Sequence, residues 1–244
     1  MNQMEMVNKQ GGLSAHDDVK SDGSVMEYHY GNSHYKKYPV MKPWVGINYV
    51  SDKHKKLLVL GESHYLPEGS TKSHDLDAWY SGSEDSLDDE EKGWIHTRGI
   101  IKKNVEDNYC NSAHGIFRNI AKAVNSVGCQ YASPLEAMND IAFMNYFQRP
   151  AEKTGESIHV GQKDVEIATS VLTDVIETLA PDIVVFVSFK AAWYGKGIVE
   201  SLNIPVTATP HPTCRWWNKQ TKKYGGYGRD VIPKFLTMNE WYKA

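Results

Sequence analysis

Apolar runs and amphipathic stretches alternate along the chain and predict strands and helices in turn. Short, continuous apolar runs predict strands at 56–60, 140–144, 182–188 and 205–208. Apolar residues at helical spacing predict helices at about 113–127, 163–179, 191–202 and 230–242. Strands that are apolar throughout are typical of a parallel sheet with helices on both faces. The pattern therefore predicts an α/β fold, a three-layer α/β/α sandwich with a short central parallel sheet.

The segments outside this pattern bear on domain organisation. Residues 1–25 are polar and carry no apolar period, so we expect a disordered tail before a single domain at 26–244. No apolar run reaches about 18 residues, and the N-terminus lacks the apolar centre of a secretion signal. We therefore expect a cytoplasmic monomer without membrane contact. Cys110, Cys129 and Cys214 match neither a disulfide framework nor a metal-binding pair, and we expect no metal or other cofactor.

Charge is distributed unevenly, although the formal net charge is only −3. Acidic residues crowd a turn-rich insertion at about 70–93. Basic and aromatic residues are interleaved after His211, namely Arg215, Trp216, Trp217, Lys219, Lys222, Lys223, Tyr224, Tyr227 and Arg229. Such a stretch suits a phosphate backbone and unstacked bases. A solvated loop with aromatic rings tucked beneath it would have the same sequence pattern, and the pattern alone does not separate the two.

Polar residues follow three of the predicted strands at their carboxyl ends. They are Gly61-Glu62-Ser63-His64-Tyr65, Asn145, and His211-Pro212-Thr213. In open α/β sheets, ligands bind beyond the carboxyl ends of the strands. These three segments are therefore the candidates for a functional site.

In this order, the three segments resemble the motifs of the uracil-DNA glycosylase superfamily. Leu57 to Tyr65 looks like its first motif, Phe143 to Pro150 is similar to the segment whose Asn reads the base, and Pro210 to Thr213 looks like its His-Pro-Ser motif. The resemblance covers about Leu57 to Ala244. It implies an enzyme that flips a nucleotide out of DNA and hydrolyses its N-glycosidic bond, leaving an abasic site. The base would be uracil or a modified pyrimidine, such as a modified cytosine of phage DNA.

The resemblance also implies roles for the residues at the strand ends. His211 would donate a hydrogen bond to the carbonyl that gains charge on the departing base. Asn145 would read the Watson–Crick edge of that base. Tyr65 would stand against C5 of the pyrimidine, and Phe147 or Tyr146 would stack on its ring.

The first motif departs from the family at the residue that positions water. Family members have Asp or Asn at its third position, where this chain has Ser63. Bond cleavage calls for a carboxylate near the sugar, and Glu62 is the nearest one in the sequence. Glu62 and Ser63 are both candidates, because the sequence does not show which side chain faces the pocket; Glu62 could equally be a surface carboxylate. His64 would line the same pocket.

The segment that follows His211 stands where the family has its DNA-inserting loop. Enzymes that flip bases insert a side chain into the stack and grip the neighbouring phosphates. The candidates for insertion are Arg215, Trp216 and Trp217. The further DNA contacts would come from Thr213, Lys219, Lys222, Lys223 and Arg229.

Other functions fit parts of the same sequence. Gly61-Glu62-Ser63 also resembles the Gly-Asp-Ser block of small serine esterases, with His211 as the base. However, Ala208 stands where those enzymes have Asp, and Tyr65 stands where a nucleophile elbow needs Gly. A metal site is a further hypothesis, although the histidines that could form it match no standard spacing; they are His54, His64, His74, His96 and His114. Another hypothesis is a domain that binds DNA or protein without catalysis.

Overall fold

The computed structural model describes residues 26–107, 115–127, 134–222 and 225–243, so the predicted tail at 1–25 lies outside the described residues. The strands are β1 (Trp44–Val45), β2 (Leu57–Gly61), β3 (Ile141–Asn145), β4 (Ile183–Phe186), β5 (Val206–Ala208), β6 (Gln220–Thr221) and β7 (Gly226–Tyr227). The α-helices are α1 (Ser33–Lys37), α2 (Leu76–Ser81), α3 (Asp89–Ile95), α4 (Thr97–Glu106), α5 (Gly115–Asn125), α6 (Gln162–Leu179), α7 (Phe189–Ser201) and α8 (Val231–Met238). The predicted strands correspond to β2 to β5, and the predicted helices to α5 to α8.

A five-stranded sheet lies at the centre of the fold, in the order β1-β3-β2-β4-β5. β2 pairs in parallel with both β3 and β4, and β4 pairs in parallel with β5. β1 pairs antiparallel with β3, so that Trp44 stands opposite Phe143. The sheet is therefore mixed, which corrects the prediction of a parallel sheet. A two-residue edge strand is too short to show a hydrophobic period, so only its pairing reveals it.

Helices flank both faces of this sheet. Successive residues of a strand point to opposite faces. Leu58 and Leu60 accordingly pack in one apolar layer with α6 and α7, whereas Leu57 and Val59 pack in the other with α5 and α8. Burial on both faces explains why these strands are apolar throughout. Among the helices that the structure describes, none has both the length and the apolar character needed to cross a membrane.

The acidic insertion folds into helices instead of turns. Several of its carboxylates cap the N-termini of α2 and α3. Asp75 accepts a hydrogen bond from the backbone N–H of Ala78 at 2.9 Å, and Asp88 and Glu91 form a capping box. Acidic side chains satisfy the free N–H groups at helix N-termini and interact favourably with the helix dipole. Part of the acidic crowding in the sequence therefore serves local structure.

The order of the strands creates a topological switch point at the carboxyl edge of the sheet, which we call the crevice. From β2 the chain reaches β3 on one side, and from β4 it reaches β5 on the other. The connections diverge between β2 and β4, and ligands bind at such a point beyond the carboxyl ends of the strands. Glu62, Asn145, Ser188 and His211 all stand at or just after strand ends on that edge.

Candidate active site

The carboxylate of Glu62 is held at the carboxyl end of β2 by two hydroxyl groups. Its Oε2 accepts a hydrogen bond from Ser188 Oγ at 2.6 Å, and its Oε1 accepts one from Ser157 Oγ. The negative charge of Glu62 acts to raise the pKa values of His211 and Tyr65. Glu62 therefore lies against the end of β4 and the loop before α6, and its charge acts on His211.

The contacts of His211 define which of its ring nitrogens carries the proton. The backbone N–H of Thr213 donates to its Nδ1 at 3.3 Å, and Thr213 Oγ lies 2.8 Å from the same atom. Because a backbone N–H can only donate, Nδ1 is the acceptor, and the proton of the neutral ring sits on Nε2. Burial lowers the pKa of His211, and the charge of Glu62 opposes this only partly. At neutral pH the side chain is therefore an uncharged Nε2–H donor.

Packing and hydrogen bonds on both sides fix the segment that carries His211. The backbone carbonyl of Pro212 accepts from Asn119 Nδ2 at 2.8 Å, which ties the segment to α5. Thr209 Oγ donates to the carbonyl of Gly228 at 2.9 Å. A Cβ at Gly228 would lie 2.5 Å from Pro210 Cγ, so the close approach requires glycine there. His211 is thus positioned before any ligand binds.

Asn145 stands beside Glu62, at the last position of β3. It pairs in register with Gly61, and a Cβ on Gly61 would lie 2.2 Å from Asn145 Oδ1. The carboxamide therefore lies across the glycine at the end of the neighbouring strand. Gln148 Nε2 donates to the backbone carbonyl of Asn145 at 2.7 Å. Within the described ranges the carboxamide itself makes no hydrogen bond, which leaves its donors and acceptor for a ligand.

The other side chains predicted to contact a base differ in their accessibility. Tyr65 is half-buried, and its pKa is raised by burial and then by Glu62. His64 is buried, with Nε2 3.0 Å from Thr97 Oγ, and burial lowers its pKa to about 3. Phe147 is fully enclosed, and its ring packs edge-on against Tyr146 and Tyr194. His64 and Phe147 therefore pack in the interior, whereas Tyr65 is partly accessible.

The basic, aromatic segment divides into a buried and an exposed part. Trp217 is 3% exposed and packs in the apolar layer with α5 and α8, which corrects the prediction that it contacts DNA. Trp216 is 51% exposed, with the Arg215 guanidinium 5.5 Å from its ring centre. Other predicted DNA contacts are exposed, namely Thr213, Lys219, Lys222 and Arg229. The prediction for Lys223 lies outside the described residues.

The sequence interpretation missed both hydroxyl groups that hold Glu62. Ser188 caps the N-terminus of α7, where its Oγ accepts from the backbone N–H of Ala191 at 3.2 Å. A serine at the end of the strongest predicted strand is a typical helix start, and this signal could have identified Ser188. Ser157 lies on an irregular loop without a pattern. Lys190 Nζ holds that loop by donating to the carbonyl of Ile158 at 2.7 Å.

The contacts bear on the other hypotheses. In a serine hydrolase the nucleophile bonds to its base, but within the described residues Ser63 Oγ makes no hydrogen bond to His211. Nor do the described His, Cys, Asp and Glu side chains form any group of three or more that could hold a metal ion. His114, one of the histidines considered, lies outside the described residues.

Comparison of this chain with models of known protein families gave no match, and its sequence matches no curated protein.

Proposed function

We propose that this chain is a DNA base glycosylase that excises uracil or a modified pyrimidine, such as a modified cytosine of phage DNA. The observation that carries the proposal is that Glu62, Asn145 and His211 all stand at or just after the ends of parallel strands at the same edge of the sheet, where two hydroxyl groups fix the carboxylate of Glu62. By analogy with glycoside hydrolysis, cleavage of an N-glycosidic bond calls for a carboxylate near the sugar and a donor to the departing base, and an amide can read the edge of that base. We further propose that the enzyme acts as a cytoplasmic monomer.

The reaction divides between the two ends of the bond that breaks. The bond between C1′ and the base nitrogen breaks with its electron pair on the base, and the sugar becomes oxocarbenium-like. Glu62 stabilises this cation and orients the water that adds to C1′. The Nε2–H of His211 donates to the base carbonyl that gains negative charge. The water gives up one proton as it adds to C1′, and the departing base anion takes up one proton, so the products are an abasic sugar and a neutral free base.

The hydrogen bonds around Glu62 suit this role. Ser188 and Ser157 each occupy one carboxylate oxygen, and each oxygen keeps further acceptor capacity for water. The side chain is thereby fixed in one orientation before substrate arrives, which reduces the reorganisation needed in the transition state. Glu62 thus supplies the carboxylate that Ser63 lacks.

The activity is tested with DNA oligonucleotides that carry uracil, hypoxanthine or modified cytosines, single-stranded and in duplex, followed by alkaline cleavage of abasic sites. We expect strand breaks at one class of pyrimidine. Hydrolysis of a generic ester without any strand break would instead favour the serine esterase. DNA binding without excision on every substrate would leave a non-catalytic binding domain.

Three substitutions test the assigned residues. We expect Glu62→Gln, His211→Ala and Asn145→Ala each to lower the excision rate by about 100-fold or more, because each removes a group that acts on developing charge or orients the base. The matched control is Glu156→Gln, which neutralises an exposed carboxylate on the neighbouring loop and should keep the wild-type rate. DNA affinity and unfolding midpoints should stay near wild type. Affinity that falls in step with the rate would assign these residues to binding instead.

A further inference from the structure

An aromatic surface on α7 begins directly beside the crevice. Phe189 follows Ser188, whose hydroxyl holds Glu62, and it is 38% exposed. Trp193 comes four residues later, so it lies on the same side of the helix and about one turn further from the sheet edge. It is 84% exposed, the highest value among the exposed large apolar side chains of the described residues. We refer to Phe189 and Trp193 together as the α7 aromatic face.

The surroundings of Trp193 are polar and open. Lys196 and Glu200 lie on the same side of α7 and form an ion pair at 2.7 Å. A Cβ on Gly197 would meet no atom within 4 Å, so the surface there is open. A stable protein interface needs a broad patch with an apolar centre, and two rings bordered by charges and a glycine do not provide one. Trp193 does provide a flat face on which a single base can stack.

The opposite side of the crevice carries positive charge. Arg215, Lys219, Lys222 and Arg229 are exposed in the segment after His211. That segment is anchored by Trp217 in the apolar layer with α5 and α8, whereas α7 packs on the other face of the sheet. The basic segment and α7 therefore flank the carboxyl edge of the sheet on opposite faces. A chain of phosphates and unpaired bases is complementary to both.

We propose that the α7 aromatic face binds unpaired bases of single-stranded DNA next to the nucleotide in the crevice. This inference rests on the proposed function and specifies its substrate as DNA that is single-stranded beside the target base. In a duplex the base faces are covered by their stacked neighbours, so an exposed ring gains little from paired DNA. Unpaired bases offer such faces at a smaller unstacking cost.

The test measures binding of a fluorescein-labelled oligodeoxythymidylate of about 20 nucleotides, and of a duplex of equal length, at one fixed salt concentration. We expect Trp193→Ala to raise the Kd for the single strand about 5- to 100-fold, the range for loss of one stacked base. The Kd for the duplex should stay unchanged. Trp193→Phe should restore most of the affinity, because it keeps a ring.

The control is Met238→Ala, which removes a side chain that is 81% exposed at the end of α8. That end lies at the opposite edge of the sheet, where the carbonyl of Trp241 accepts from the N–H of Lys55, two residues before β2. Equal single-strand affinity in wild type, Trp193→Ala and Met238→Ala would overturn the proposal. So would a dimer in sedimentation that dissociates on Trp193→Ala, since a second copy would then cover this face. Because the readout is binding, a Trp193 effect in a protein that excises no base would refute the proposed function alone.

Discussion

Two hydroxyl groups fix the position of the Glu62 carboxylate, and one of them, on Ser188, also caps the N-terminus of α7. Ser188 Oγ accepts from the N–H of Ala191 and donates to Glu62, so a single residue links the stability of α7 to the geometry of the crevice. Hydrogen bonds to an ionised group are stronger than those between neutral groups. Loss of the Ser188 hydroxyl should therefore disturb the orientation of Glu62 more than it lowers the stability of the fold.

This dual role can be separated by substitution. Glycine at the first position before a helix costs only a few tenths of a kcal/mol, whereas alanine costs about 1 kcal/mol. We therefore expect Ser188→Gly to keep nearly all of the stability and to lower kcat about 10-fold or more, because Glu62 loses a donor. Ser188→Thr, which keeps the hydroxyl, should retain activity. Urea denaturation and single-turnover excision are the measurements, and a Ser188→Gly enzyme with the wild-type rate would contradict the role.

At the scale of elements, a buried arginine fixes the loop that bears Ser157. Arg149 is 2% exposed and forms a bidentate pair with Asp164 at the start of α6, at 3.0 and 2.9 Å. It also bonds to Glu152 at 2.6 Å and to the carbonyl of His159 at 2.7 Å. The loop between β3 and α6 is therefore anchored at both ends by one guanidinium group.

Removal of this anchor should affect both stability and the site. We expect Arg149→Met to lower the free energy of unfolding by about 3–5 kcal/mol, because the buried carboxylate of Asp164 is left without its cation. Arg149→Lys should keep only part of this free energy of unfolding, since lysine cannot form the bidentate pair. Lys153→Met is the matched control: it breaks an exposed pair with Glu156 and should cost at most about 1 kcal/mol. Urea denaturation measures all three, and equal losses would contradict the anchor.

At the scale of the whole molecule, buried histidines make stability depend on pH. Burial lowers the pKa values of His34 and His64 from 6.5 to about 3. The unfolded chain takes up these protons first, so stability is complete above pH 6.5 and falls as the pH drops from there toward 3. At pH 5, each of the two histidines should lower the free energy of unfolding by about 2 kcal/mol.

The pH dependence is tested at His34, whose ring stacks on Tyr38 at 5.0 Å and whose Nε2 has no hydrogen-bond partner among the described residues. We expect His34→Phe to keep the packing and to reduce the loss of stability between pH 6.5 and 5 by about half, because His64 still contributes its share. His29→Gln, at an exposed histidine, should leave the profile as in wild type. Unfolding free energies from urea titrations at several pH values decide between the profiles. An unchanged slope in His34→Phe would refute the role of burial.

The hydrophobic pattern alone determined much of the architecture, because burial on both faces leaves a signal in the sequence. The runs at 56–60 and 182–188 predicted β2 and β4 within two residues at either end, and the spacing at 163–179 predicted α6 nearly to its bounds. The pattern did not contain the edge strand β1, since two residues form no period. It also left α2 to α4 unpredicted: α2 and α3 begin at carboxylate caps that look like a charged loop, and α4 is capped by His96, whose Nδ1 accepts from the N–H of Gly99.

For the candidate site, the sequence supplied the residues, and the tertiary structure decided which of them meet. Glu62 and His211 could be named from their strand ends. The hydroxyl groups that hold Glu62, however, belong to Ser157 and Ser188, which are 95 and 126 positions further along the chain. The burial of Trp217 beside the exposed Trp216 was equally beyond the sequence, since both are aromatic and adjacent. Strand and helix periods are local properties, so a single sequence carries them. Contacts between loops depend on how distant segments pack, and only the folded chain establishes them.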